Sequence, residues 1–97
     1  MDREQAEAIV ATRLQAMKLD GGDEAVVLLE ETMEEPFGWV FFYQSRRYLE
    51  TGKFEHRFAG NAPFIVDRDS GELFTTGTAK PIAEYIAEYA ARRGRHA

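Results

Sequence analysis

Residues 34–45 read EEPFGWVFFYQS, and this stretch holds the only tryptophan of the chain. A strand with one face in water alternates apolar and polar residues, but residues 39–43 are apolar without a break. They therefore predict a central strand that is buried on both faces. Pro36 and Gly38 separate this strand from the apolar and acidic run of residues 25–35, so the two runs are expected to form a hairpin.

A second hairpin and two terminal helices complete the predicted fold. FIVD (residues 64–67) and ELFT (72–75) flank a turn in which Gly71 suits a positive φ. Apolar residues recur at helical spacing over residues 2–18 and again from Pro81 to about Arg92. The order α-β-β-β-β-α predicts an α+β fold in which a four-stranded, mainly antiparallel sheet lies between an N-terminal and a C-terminal helix in sequence.

The two faces of the central strand need separate cover. Trp39, Phe41 and Tyr43 point to one face, and the two residues between them point to the other. The two helices can pack together on one face. We expect the long connection of residues 45–61 to cover the other face, with a second chain or solvent as the alternatives. We also expect one domain over residues 1–97, with a frayed tail at residues 93–97.

Charge and composition narrow the class of protein. The net charge of −5 is uneven: residues 1–35 hold ten acidic and three basic residues, and residues 36–97 hold seven acidic and nine basic residues. An acidic surface repels nucleic acid and steers association towards basic partners. The chain has no cysteine and no apparent signal peptide or membrane span. We therefore predict a cytoplasmic protein that contacts neither nucleic acid nor membrane.

Motifs that carry chemistry are missing from the sequence. His56 and His96 have no neighbours that resemble a metal site or a catalytic triad, and there is no nucleotide-binding or nucleophile-elbow motif. DRDSGE (residues 67–72) is similar to a calcium loop, but its glycine comes one position early and no acid follows at the twelfth position. We predict a hairpin turn there, no catalytic residue, no metal and no cofactor. A small enzyme is the weakest hypothesis.

Acidic and aromatic side chains are the candidates for contact with a partner. The glutamates just before the first turn are either solvated charges that keep a strand edge from aggregating or a patch that pairs with a basic partner. Tyrosines near strand ends suit such contacts because they are amphipathic. The predicted partner-binding residues are Glu31, Glu34, Glu35, Tyr43 and Tyr48.

Three segments carry a family resemblance: residues 37–45 (FGWVFFYQS), 48–52 (YLETG) and 60–89 (GNAPFIVDRDSGELFTTGTAKPIAEYIAEY). Their order and spacing resemble the immunity protein 35 (YrhB-like) family of bacteria. The likeness covers the chain from about Val26 to Tyr89 and lies in a W-x-F strand, a G-N-x-P strand start and a D-x-x-x-G turn before a tyrosine-rich helix. It implies a small α+β protein that neutralises a toxin encoded beside it, without catalysis or cofactor. It does not identify the toxin or supply binding residues.

Two functions follow as hypotheses. The first is an immunity protein that occludes a cognate toxin by stoichiometric binding, and a toxin with a basic active surface would suit it. The alternative is a chaperone-like stress protein that binds unfolded clients through an exposed apolar sheet face. A one-to-one complex with a single basic partner favours the first, and suppressed aggregation of unrelated proteins favours the second. The oligomeric state stays open.

Overall fold

The computed structural model describes residues 1–17, 22–53, 55, 57 and 62–96, with the backbone alone for 94–96. The elements, in chain order, are helix α1 (Arg3–Gln15), strand β1 (Ala25–Val27), a 3₁₀ turn (Leu29–Glu31), strands β2 (Met33–Glu35), β3 (Gly38–Phe41) and β4 (Tyr43–Ser45), helix α2 (Arg46–Thr51), strands β5 (Phe64–Asp67) and β6 (Leu73–Thr75), and helix α3 (Ile82–His96). The predicted α+β class and both terminal helices are confirmed.

The strands form two antiparallel sheets, whereas a single sheet of four strands was predicted. One sheet has the order β2-β3-β5-β6, and the other is the pair β1-β4. The division arises in the first hairpin, because residues 28–32 on one side stand opposite residues 41 and 42 on the other. The extra residues leave the ladder as the 3₁₀ turn, and the hairpin bends there. Each half of the hairpin then belongs to a different sheet.

Helices α1 and α3 lie on opposite faces of the four-stranded sheet, so the expected pairing of both helices on one face was wrong. Helix α1 packs against the row of Trp39, Phe41 and Tyr43. Helix α3 packs against the other row, where Val40 and Ile65 are fully buried. The second row is therefore covered by α3 and not by residues 45–61. The described part of that connection contains α2, which packs against β4; residues 54, 56 and 58–61 lie outside the described residues.

Local chemistry explains where the helices begin and end. Asp2 and Gln5 form a capping box at the start of α1, in which each side chain accepts a hydrogen bond of 2.9 Å from the other residue's N–H. Ser45 caps α2 by accepting from the N–H of Tyr48 at 3.2 Å, and Gly52 ends it in the left-handed conformation. Helix α3 continues through His96, beyond the end predicted near Arg92.

Candidate partner-binding surface

The predicted glutamates lie along one edge of the four-stranded sheet. Strand β2 is the outer strand of that sheet, and the 3₁₀ turn precedes it. We call residues 29–35 the acidic edge. Two apolar side chains stand among its carboxylates: Leu29 is 49% exposed and Met33 is 38% exposed. Exposed apolar groups beside like charges suit a protein partner of opposite charge. The carboxylates of the acidic edge are Glu30, Glu31, Glu34 and Glu35.

The glutamates of the acidic edge differ in their internal partners. Arg68 donates from Nη2 to Oε2 of Glu34 and to the backbone carbonyl of Glu35, both at 3.1 Å. Its guanidinium also lies 4.7 Å from the centre of the Trp39 ring. Glu30 and Glu31, by contrast, form no ion pair with any residue that the structure describes. These two carboxylates can therefore pair with a basic partner without losing an internal contact.

The two predicted tyrosines lie away from the acidic edge. Tyr43 is only 6% exposed, and its ring stacks on Phe64 with centroids 5.0 Å apart. Burial also raises the pKa of the Tyr43 hydroxyl. Tyr48 is half-buried in α2. Helix α2 begins after Ser45, at the end of the β1–β4 pair that lies farther from the acidic edge. Tyr43 therefore serves the core, and Tyr48 belongs to a different part of the surface.

A groove that the sequence analysis did not identify lies between α1 and β1. Its volume is about 850 Å³. One wall is a stripe of α1, in which Ala8 and Ala11 are small and exposed, and the other wall is formed by the chain from Gly22 to Val27. Leu29 also lines the groove and so joins it to the acidic edge. The only sequence signal for this wall is the pair of alanines, which is weak because alanine is the strongest helix former at any position.

Asp23 is held firmly at the lining of this groove. Its carboxylate accepts hydrogen bonds from the Ser45 hydroxyl and from the N–H groups of Glu24 at 2.8 Å and Arg47 at 3.2 Å. The bond from Ser45, with those from the two N–H groups, outweighs the effect of burial and lowers the pKa of the Asp23 carboxyl. Asp23 is therefore ionised at neutral pH.

The other two carboxylates of the groove form exposed ion pairs. Glu7 pairs with Arg3 at 3.4 Å, and Glu24 pairs with Arg46 at 3.6 Å. Exposed pairs of this kind contribute at most about 1 kcal/mol, so a cation from a partner can replace the internal one at little cost.

A second cavity of about 720 Å³ lies between the two hairpin turns and α3. Asp67, which is 5% exposed, lines it and accepts from the N–H groups of Asp69 at 2.8 Å and Ser70 at 3.1 Å. It also accepts from the Tyr89 hydroxyl at 2.9 Å and pairs with Arg93 at 2.7 Å. Because both carboxylate oxygens are engaged by internal donors, we interpret this site as a structural link between the β5–β6 turn and α3.

The pKa values at this link reflect its hydrogen bonds. Burial opposes the ionisation of Asp67, but the two turn N–H groups, the Tyr89 hydroxyl and the charge of Arg93 outweigh it and lower the Asp67 pKa. Burial, followed by the hydrogen bond to Asp67, raises the pKa of Tyr89 to about 12. Across the described residues, no group of histidine, aspartate and glutamate side chains is arranged to hold a metal ion.

Comparison with known proteins identifies the family. The family described as Immunity protein 35 matches residues 4–91 of the chain. The chain belongs to the Immunity protein 35 family. It is also similar to the uncharacterized protein YrhB of Escherichia coli strain K12, with 49% identity over 73 residues, which cover 73% of this chain and 74% of that protein. No solved structure matches the chain.

Membership of the Immunity protein 35 family confirms the resemblance that the chain showed from about Val26 to Tyr89. The matched residues 4–91 begin in α1 and end in α3, so they include the whole acidic edge and both walls of the groove. In the part of the chain that the structure describes, no helix has the length and apolar character that crossing a bilayer requires.

Proposed function

We propose that this chain is an immunity protein that neutralises a cognate bacterial toxin by binding over its active surface in a stoichiometric complex. The family match over residues 4–91 carries the proposal. The acidic edge supports it, because Glu30 and Glu31 form no ion pair with any described residue and lie beside the exposed Leu29. A complex of standard size buries about 800 Å² on each partner.

The contact surface in this proposal retains four of the five predicted residues. Glu31, Glu34 and Glu35 contact the toxin at the acidic edge, and Tyr48 contributes from α2. Tyr43 is left out because it is buried against Phe64. The toxin presents a basic surface, since charge complementarity would then raise the association rate and exclude acidic partners.

Occlusion, and not catalysis, is the proposed mode of action in the cytoplasm of the producing cell. Among the described carboxyl groups, Asp23 and Asp67 have lowered pKa values, and they accept hydrogen bonds from the Ser45 cap of α2 and from the β5–β6 turn. Their internal donors suit a structural role, and a catalytic acid or base instead needs an oxygen that can reach a substrate.

Co-expression tests the proposed function directly. The product of the neighbouring gene is induced with and without this chain, and growth is followed together with co-purification and size-exclusion chromatography. We expect rescued growth and a one-to-one complex. The proposal fails if the neighbouring product is toxic and this chain neither restores growth nor co-purifies with it.

Charge reversal at the acidic edge should slow association with the toxin. The double variant Glu30→Lys with Glu31→Lys changes the net charge by four units without breaking an ion pair among the described residues. We expect the association rate to fall by about tenfold at low salt, with a smaller effect at high salt. Stopped-flow or biolayer interferometry over a salt series measures this.

The matched control moves the same charge change to α3. Glu84→Lys with Glu88→Lys alters two exposed glutamates on the helix that covers the opposite face of the sheet from α1. Glu88 gives up an exposed ion pair with Lys80, so thermal melting checks that this variant is folded. If net charge alone set the rate, both double variants would slow association equally. Equal slowing would contradict a role for the acidic edge.

The chaperone-like alternative depends on an exposed apolar sheet face. Helices α1 and α3 cover the two apolar rows of the four-stranded sheet, so the described residues do not offer such a face. We expect the native chain to increase the fluorescence of an apolar dye only slightly at neutral pH. We also expect it not to suppress the aggregation of client proteins. An unrelated protein in its acid molten-globule state serves as the positive control for the dye. Strong dye binding by the native chain would favour the alternative.

A further inference from the structure

We propose that the groove between α1 and β1 binds an extended basic segment of the toxin, which pairs with the outer edge of β1 as an added strand. This inference rests on the proposed function and goes further by naming the binding place and the conformation and charge of the bound segment. The geometry of β1, the shape of the α1 wall and the charge of the lining each support it.

The groove runs along the edge of β1 and not across one of its faces. All three residues of β1, Ala25–Val27, line it. Successive side chains of a strand point to opposite faces, so a cavity on one face would be lined by alternate residues only. Contact with three residues in a row therefore places the groove beside the backbone. Among the described residues, β1 pairs with β4 alone.

The hydrogen-bond pattern of the ladder shows which backbone groups face outwards. The N–H of Arg46 donates to the carbonyl of Glu24, and the N–H of Leu28 donates to the carbonyl of Phe42, both at 2.8 Å. Bonded positions alternate along an antiparallel strand, so residues 24, 26 and 28 bond towards β4. The N–H and C=O groups of residues 25 and 27 then point away from β4. These are the groups that a strand-forming peptide would bind.

The α1 wall of the groove includes small side chains. Its lining residues fall on one helical stripe, where Ala8 and Ala11 present only methyl groups and Leu14 adds an apolar base. An added strand lies about 4.8 Å from its neighbour, and small residues opposite the edge allow that approach. At the end of the groove that Leu29 lines, Arg3 donates from Nη2 to the Leu29 carbonyl at 2.8 Å.

The charge of the lining selects a basic occupant. Glu7, Asp23 and Glu24 line the groove, and its described lining includes neither lysine nor arginine. The segment from residue 1 to residue 35 holds seven more acidic than basic residues. A peptide that alternates apolar side chains with lysine or arginine would place the apolar ones against α1 and the cations on Glu7 and Glu24, whose exposed ion pairs can be exchanged. Because Leu29 is shared, such a segment would continue onto the acidic edge.

Variants in the two walls test the proposal, with the purified product of the neighbouring gene as the probe. Ala11→Lys places a long cation in the groove at an exposed helix position, and Ala87→Lys makes the same change at an exposed alanine of α3. Val27→Pro removes the N–H of residue 27, which points outwards and does not bond to β4. An edge strand tolerates proline at such a position. Circular dichroism and thermal melting check that each variant is folded.

We expect Ala11→Lys and Val27→Pro each to weaken toxin binding by at least about tenfold, and Ala87→Lys to change it by less than about twofold. Amide hydrogen exchange of the unaltered chain supplies a readout that does not depend on any variant folding. In the complex, the amides of Ala25 and Val27 should become protected, whereas in the free chain they should exchange readily.

The outcomes separate the two proposals. Suppose that the unaltered chain binds the toxin, that both wall variants bind it equally well and that the amides of residues 25 and 27 stay unprotected. The groove inference is then overturned, and the proposed function stands. If the unaltered chain does not bind the toxin at all, both are overturned. Should Val27→Pro fail to fold, Ala11→Lys and the exchange measurement still decide the question.

Discussion

The Gly38→Ala variant is expected to lose most of its stability against unfolding. Gly38 opens β3 with a φ of +153°, and a Cβ atom there would lie 2.0 Å from the carbonyl oxygen of Val66 and 2.9 Å from the backbone nitrogen of Arg68. Both contacts are backbone atoms of the neighbouring hairpin, so no side-chain rotation can relieve them. Gly38 pairs with Asp67 in the ladder, and strands β3 and β5 would have to separate to admit the methyl group.

The cost of that separation should exceed about 4 kcal/mol, which is most of the stability of a domain this small. Urea unfolding measures it, and the single tryptophan, Trp39, reports the transition because it is buried beneath α1. Gly52→Ala is the matched control. Gly52 also has a positive φ, +69°, but a Cβ atom there meets nothing within 4 Å. Its substitution should cost only about 1–2 kcal/mol, the usual penalty for the left-handed conformation. Similar stabilities for the two variants would contradict the close approach of β3 and β5.

Local signals in the sequence predicted the elements whose causes are local. Pro36 and Gly38 mark the first hairpin turn, and Gly71 marks the second, because turn geometry depends on the residues within the turn itself. The start of α3 follows from Pro81 in the same way. These predictions needed no knowledge of which segments meet in space, and the structure confirms them.

The arrangement of the elements depended on contacts that the sequence does not encode locally. Periodicity shows that a helix has an apolar stripe and that residues 39–43 have two apolar rows, but it does not say which helix covers which row. The bend of the first hairpin arises from a mismatch between residues 28–32 and residues 41 and 42, which appears only when the register of both strands is known. That mismatch turned one predicted sheet into two.

The candidate surface was predictable to the same degree. The acidic edge is a run of glutamates in the sequence, so its place in the chain followed from the local sequence alone. The burial of Tyr43 did not, because tyrosine suits both a core and an interface until its neighbours are known. The groove combines α1 with β1, and the link between Asp67 and Tyr89 spans 22 residues. Such sites arise from tertiary packing and leave little local signal.

The Asp67→Ala variant is expected to lower the free energy of unfolding by about 3 kcal/mol. The change leaves the N–H groups of Asp69 and Ser70 without their acceptor in the turn, and it leaves the buried hydroxyl of Tyr89 unpaired. Arg93 keeps Asp69 as a partner, which limits the loss. Tyr89→Phe removes only the hydroxyl contact and should cost about 1 kcal/mol. Equal stability of Asp67→Ala and the unaltered chain in urea would show that the link does not hold α3 to the turn.

The pH dependence of stability distinguishes the charge of Asp67 from its role as a hydrogen-bond acceptor. The folded pKa of Asp67 is lowered, so its stabilisation is fully present above the unfolded pKa of about 4 and is lost as the pH falls through the folded value. Tyr89 behaves in the opposite sense: its folded pKa of about 12 lies above the unfolded value of about 10, so its contribution is lost as the pH rises from about 10 through 12. Asp67→Asn keeps an acceptor for the turn but cannot ionise, and its unfolding free energy should therefore fall less steeply than that of the unaltered chain between about pH 5 and pH 2. Tyr89→Phe should reduce the loss of unfolding free energy between about pH 10 and pH 12. If the unfolding free energy fell equally steeply below about pH 5 in Asp67→Asn and in the unaltered chain, the ionised carboxylate of Asp67 would not stabilise the fold.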